Sequence, residues 1–87
     1  MNEFTELSIY PNPASGMVNL QFTVGSSQRV NIKVYDVNGK EITTWLNDQM
    51  TEGDHQLSFD VSSFTKGIYF ISLQGQHYNE TQQIMID

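Results

Sequence analysis

The sequence has no cysteine, a single alanine, two prolines and only four basic residues among 87. Without cysteine it can form neither a disulfide framework nor a zinc site built on thiolates. Ten residues are acidic and the net charge is −6, so the clustered Lys and Arg that bind nucleic acids or anionic lipids are missing. The longest apolar run, residues 68–71, is far shorter than the roughly 20 residues of a membrane-spanning helix. We therefore expect a domain that binds no nucleic acid and is not embedded in a membrane.

The N-terminal residues do not have the pattern of a signal peptide. Met1-Asn2-Glu3 is acidic, and no apolar stretch of signal length follows it. A chain of this length suits one small core rather than two. We interpret residues 1–6 as a linker remnant and residues 7–87 as one domain.

Residues that favour strands are abundant. Val, Ile and Thr together make up 20 of the 87 residues, and β-branched side chains pack well on a pleated surface. Turn-forming Gly, Asn and Pro separate short runs at regular intervals, which favours a sandwich or a barrel. We predict an all-β fold, an immunoglobulin-like antiparallel β-sandwich of about seven strands. The predicted strands cover residues 7–10, 18–24, 30–35, 41–46, 56–61, 67–73 and 78–86.

Alternation of apolar and polar residues indicates which side chains build the core. Asn38-Gly39 between two such runs predicts a two-residue hairpin turn in which both residues have positive φ. Residues 62–65 suit only a single helical turn before Gly67. The predicted core residues are Val18, Leu20, Phe22, Val30, Ile32, Val34, Ile42, Leu57, Phe59, Tyr69, Ile71 and Leu73.

No pattern of residues supports catalysis. Residues 36–39 resemble the start of a calcium loop but lack its remaining ligands, so a hairpin turn is the better interpretation. The oxygens of Asn47, Asp48, Glu52 and Asp54 could hold calcium weakly, although a solvated loop is favoured. His55 and His77 have no second ligand at metal-binding spacing, and the Gly-x-Ser-x-Gly motif is absent. We predict no enzyme, no metal and no cofactor.

Three aromatic residues are candidates for a ligand platform. Trp45, with Tyr35 and Tyr78, could stack on sugars, whereas a single Trp in a small sandwich is more often part of the core or its rim. Both interpretations remain open from the sequence.

A series of short patterns follows in a characteristic order. The patterns are Tyr10-Pro11-Asn12-Pro13, Tyr35-Asp36 with Gly39-Lys40, Gly67-Ile68-Tyr69, and Ile84-Met85-Ile86. In that order and spacing they resemble the C-terminal sorting domain (type A) of the type IX secretion system of Bacteroidota, over about residues 7–87.

The resemblance implies a non-catalytic signal for export. Such a domain directs a larger, covalently linked N-terminal cargo domain from the periplasm through the outer-membrane type IX translocon to the cell surface or the medium. A surface peptidase then removes it, here at a point near residues 1–6. We expect the last strand to be an edge or tail that offers backbone donors and acceptors to the translocon. The residues that carry the sorting motifs by resemblance are Pro11, Asn12, Pro13, Gly39, Gly67, Tyr69, Ile84, Met85 and Ile86.

One feature departs from the family pattern. The family usually has a basic residue before the last apolar strand and often ends on one, whereas this chain has Gln82-Gln83 and Asp87. Two other functions remain as alternatives. The first is an accessory carbohydrate- or protein-binding module of a secreted enzyme, and the second is an adhesive or spacer domain without a ligand.

Overall fold

The computed structural model of the chain describes residues 7–87, which form seven β-strands and no helix. The predicted all-β class is therefore confirmed. The main differences from the predicted bounds are that the fourth strand continues to Met50 and the fifth begins at Gly53. The strands are β1 (Ser8–Tyr10), β2 (Met17–Val24), β3 (Gln28–Tyr35), β4 (Glu41–Met50), β5 (Gly53–Asp60), β6 (Gly67–Gln74) and β7 (Asn79–Ile86).

The strands form two antiparallel sheets that pack as a sandwich. One sheet has the order β1-β2-β5, and the other has the order β4-β3-β6-β7. The pairing of β2 with β5 and of β3 with β6 is that of immunoglobulin-like sandwiches. In the constant-type arrangement the fourth strand joins the first sheet, whereas here β4 joins the second. As a result, β4 and β5 are edge strands of different sheets.

The strand registers define two ends of the sandwich. Tyr10 pairs with Asn19 in one sheet, while Tyr35 pairs with Phe70 in the other. We call the end where β1 begins the near end; it carries the connections 25–27, 51–52 and 75–78. We call the opposite end the far end; it carries the connections 11–16, 36–40 and 61–66, together with Asp87. Leu7, the first described residue, therefore lies at the near end.

The core lies between the sheets and follows the predicted alternation in β2, β3 and β6. Leu57 and Phe59 are only half-buried, because β5 is an edge strand. Ile42 was wrongly predicted to be in the core, since its side chain is 43% exposed. It lies beside a register shift between Val34 and Tyr35, where alternation fails. The prediction omitted six buried apolar residues: Leu7, Ala14, Val24, Val61, Ile84 and Ile86.

The hairpin between β3 and β4 is confirmed, but its predicted turn type is wrong. Gly39 has a φ of 82°, and no non-glycine residue among residues 7–87 has positive φ. The Gly39 N–H donates to the Asp36 carbonyl at 3.0 Å, and the Asp36 N–H donates to Lys40 O at 2.9 Å. This is the pattern of a three-residue loop that ends in a left-handed glycine. The Asp36 carboxylate completes the loop by accepting from the amides of Asn38 and Lys40.

Candidate functional site

The segment around the two prolines lies against the last strand. The Tyr10–Pro11 and Asn12–Pro13 peptide bonds are both cis. Beyond them, Ala14 forms a parallel bridge with Ile86. We call residues 12–14 together with residues 83–87 the terminal joint. It connects two parts of the chain that are more than 70 residues apart in sequence.

Hydrogen bonds of the terminal joint satisfy part of the edge of β7 that faces away from β6. Asn12 Oδ1 accepts from the Met85 N–H at 3.0 Å. The Ala14 N–H donates to Met85 O at 2.9 Å, and the Asp87 N–H donates to Ala14 O at 2.8 Å. The side-chain amide of Asn12 thus takes the place of a strand backbone, and the prolines on either side of it have no N–H to satisfy. β7 is an edge strand of its sheet, as expected, but residues 12–14 cover the last part of that edge.

A polar cluster joins β1 to the beginning of β7 at the near end. The Leu7 N–H donates to Glu80 Oε1 at 3.1 Å, and Leu7 O accepts from Gln82 Nε2. Gln82 Nε2 also donates to Glu80 Oε2 at 2.7 Å, and the Tyr78 hydroxyl donates to Glu80 Oε1. Partial burial raises the pKa of Glu80, but the hydrogen bonds from Tyr78, Gln82 and Leu7 outweigh it and bring that pKa below its usual value.

Gly67 and Tyr69 shape the start of β6 at the far end. Gly67 has a φ of 146° and pairs with Ile86, a backbone conformation that side chains rarely adopt. Tyr69 is only 7% exposed, and its hydroxyl donates to Thr65 O at 2.8 Å. The Tyr69 ring also packs against Phe64. Both residues thereby position the 61–66 connection.

The motif residues gather at the far end of the sandwich. Residues 11–13, Gly67, Tyr69 and residues 84–86 all lie around the terminal joint. Within the last group, Ile84 and Ile86 are in the core, while Met85 is 45% exposed on the outer face. Gly39 lies at the same end, across the four-stranded sheet in the β3–β4 hairpin.

The proposed aromatic platform is not assembled. The Trp45 ring stacks on Phe59 with a centroid distance of 4.4 Å and an interplanar angle of 5°, so it packs between the sheets. Tyr35 lies on β3 at the far end, and Tyr78 lies at the near end beside Glu80. The three side chains therefore share no surface.

The acidic and histidine residues that were considered as ligands are also dispersed. Asn47, Asp48 and Asp54 belong to strands β4 and β5, so the loop between those strands is shorter than the sequence suggested. His55 contacts Thr51 O at 2.7 Å and stacks on Phe22, whereas His77 is exposed. Within residues 7–87, no group of three or more acidic or histidine side chains is placed to hold a metal ion.

The profile of one family, described as the secretion system C-terminal sorting domain, matches residues 8–87. The chain belongs to this family. Its function is that of a C-terminal sorting signal for type IX secretion. No curated protein sequence matches the chain. The matched range begins with β1 and includes the whole terminal joint.

Two parts of this sorting domain escaped the sequence analysis. Ala14 contributes its backbone to the terminal joint and is fully buried. Its only signal in the sequence is that it is the single alanine of the chain. The outward apolar side chains of β6 were also overlooked, although the unbroken run at residues 68–71 departs visibly from alternation.

The structure contains no helix long and apolar enough to cross a membrane within the part of the chain that it describes.

Proposed function

We propose that this sorting domain directs a covalently linked N-terminal cargo from the periplasm through the outer-membrane type IX translocon to the cell surface or the medium. A surface peptidase then removes the domain at the segment before β1. The domain itself performs no catalysis. The predicted cleavage point, near residues 1–6, lies outside the described residues.

The observation that carries this proposal is the family match over residues 8–87. The geometry agrees with it, since the motif residues gather at the far end while a cargo would join at the near end. A carbohydrate-binding role has no comparable support, because Trp45, Tyr35 and Tyr78 are separated. The motif residues therefore complete the sandwich at its far end. The secretion machinery would contact the domain at this same end.

A reporter fusion tests the proposal. Residues 1–87 are fused behind a reporter that carries a periplasmic export signal, in a host with the type IX machinery. The intact fusion should reach the surface or the medium, whereas a fusion that ends before Tyr78 should stay in the periplasm. Circular dichroism must first show that the truncated domain still folds.

A second variant tests export without removing a strand. Gln83→Lys with Asp87→Lys introduces the basic residues that the family usually carries at these positions. Gln83 and Asp87 are both exposed, so the fold should be unchanged. If neither the native nor this variant fusion leaves the periplasm, the sorting function fails for this chain. If the native fusion is exported, the acidic end is compatible with sorting.

A further inference from the structure

Strand β6 presents apolar side chains on both of its faces. Tyr69 and Ile71 point into the core, with exposures of 7% and 0%. Ile68 and Phe70 alternate with them and therefore point outward, where they are half-buried. An antiparallel sheet with one solvated face normally carries polar residues there, and strands that are apolar on both faces are typically covered on both.

The strand registers gather these side chains into one patch. Phe70 lies directly opposite Tyr35 of β3, and Ile68 lies directly opposite Met85 of β7. Side chains that pair in this way on one face are in contact range. We call Tyr35, Ile68, Phe70 and Met85 the outer apolar patch. Val37, 63% exposed, follows in the hairpin loop after β3.

On β3, β6 and β7 the rest of this sheet face is polar, which makes the patch distinct. All the remaining outward positions of these three strands carry polar or charged side chains. These residues are Arg29, Asn31, Lys33, Ser72, Gln74, Asn79, Thr81 and Gln83. Contiguous apolar surface with a polar rim is typical of an interaction site.

The patch lies away from the cargo, at the end of the sandwich with the smaller net charge. It occupies the far end, whereas Leu7 lies at the near end. Asp48, Glu52, Asp54 and Glu80 lie toward the near end with Arg29, while the acidic residues of the far end, Asp36, Glu41, Asp60 and Asp87, are accompanied by Lys33, Lys40 and Lys66. Near the patch, Lys33 Nζ and Glu41 Oε1 form an ion pair at 3.6 Å.

These features indicate which kind of molecule would bind the outer apolar patch. A second copy of the domain would bring another net charge of −6, and like charges disfavour association. A polysaccharide would need polar partners, which the aliphatic side chains of Ile68 and Met85 cannot supply. An apolar protein surface with little charge fits the patch best. Four side chains form the centre of a small interface, as in transient complexes, which suits a signal that is released after transport.

We propose that the outer apolar patch is the docking surface through which this sorting domain binds an apolar protein surface of the type IX machinery. This inference rests on the proposed sorting function. The terminal joint supports it, because it closes the outer edge of β7 at Met85 and so leaves the side-chain face for recognition.

The test replaces the centre of the patch with polar residues that suit strands. Ile68→Thr with Phe70→Thr keeps strand propensity and removes the apolar contact. We expect export of the reporter fusion to fall by about tenfold or more, as for the loss of a central interface residue. The matched control, Asn31→Thr with Gln74→Thr, changes a cross-strand pair in the polar half of the same face and should be exported like the native domain. Ile68→Val with Phe70→Leu keeps the patch apolar and should retain export.

The outcomes separate this inference from the sorting function. Thermal unfolding followed by circular dichroism must show that each variant is folded. If the native fusion is not exported, the sorting function itself fails. If the native fusion is exported and the folded Thr variant is exported equally well, the docking proposal is overturned while sorting stands. Sedimentation that shows a native dimer lost in the Thr variant would assign the patch to a second copy and would also overturn it.

Discussion

At the residue scale, single polar side chains replace backbone partners at both ends of β7. Asn12 accepts from the Met85 amide at the far end, and Glu80 accepts from the Leu7 amide at the near end. Asn12 thus serves an amide at the edge of β7, and Glu80 serves the amide of the residue just before β1. Such bonds contribute about 0.5 to 1.5 kcal/mol each, so they adjust the stability of the sandwich without determining its fold.

Glu80 makes the stability of the domain depend on pH. Its pKa in the folded domain is below the ordinary value of 4.5, so its contribution is present above pH 4.5 and is lost as the pH falls through the folded-state pKa. We expect Glu80→Gln to lower the free energy of unfolding at pH 7 by at most about 1 kcal/mol, because the carboxylate is only partly buried and solvent still screens its charge.

Urea unfolding of both proteins at neutral and acidic pH measures this effect. The difference between native and Glu80→Gln should shrink on acidification. An equal difference at both pH values would show that Glu80 is not stabilised in its ionised form.

At the scale of elements, the terminal joint predicts an unusual exchange pattern for an edge strand. The Met85 and Asp87 amides face away from β6, yet each donates to residues 12–14. We expect both to be protected from hydrogen exchange. Asn12→Ala should speed the exchange of the Met85 amide and cost about 1 kcal/mol.

Amides of β2, at the centre of the other sheet, serve as the internal control. They should keep their native exchange rates in Asn12→Ala, apart from the small change due to global stability. Unchanged exchange at Met85 would mean that Asn12 does not hold the strand edge in solution.

The strands β2 and β3 could be predicted because their alternation of apolar and polar residues reflects burial of one face, and β6 because it is a short apolar run that begins at Gly67. Beyond Leu46 the alternation stops, because residues 47–49 are polar and exposed at a sheet edge. The predicted end of β4 is therefore four residues too early. No local sequence pattern indicates that β4 belongs to the second sheet. The terminal joint could not be predicted either, because Ala14 acts through its backbone and a side-chain pattern does not record such contacts.

At the scale of the whole molecule, the two sides of the sandwich differ. One side is joined by contacts between β1, residues 12–14 and β7. On the other side β4 and β5 are edge strands of different sheets, and the stack of Trp45 on Phe59 links them. This aromatic pair therefore reports whether the two sheets stay together.

Trp45, the single tryptophan, allows the cooperativity of the sandwich to be measured. In urea, its fluorescence and the far-UV circular dichroism should change at one midpoint, as expected for a small two-state domain. Trp45→Ala should lower the free energy of unfolding by about 2 to 4 kcal/mol through loss of packing. If the fluorescence changes at lower urea than the circular dichroism, the β4–β5 side opens before the rest unfolds.

The molecule is elongated, 37 Å long against 22 and 19 Å in the other directions. The contacts that join β1 and residues 12–14 to β7 therefore determine how the domain responds to a pulling force. A pull on the chain before β1, with the far end held by a partner, would act along the strands rather than across them. The bonds of Leu7, of β1 to β2 and of residues 12–14 to β7 would then bear the load together instead of breaking one after another. A domain tethered in this way resists extension by a trailing cargo, and it would give way more easily if pulled from the β4–β5 side.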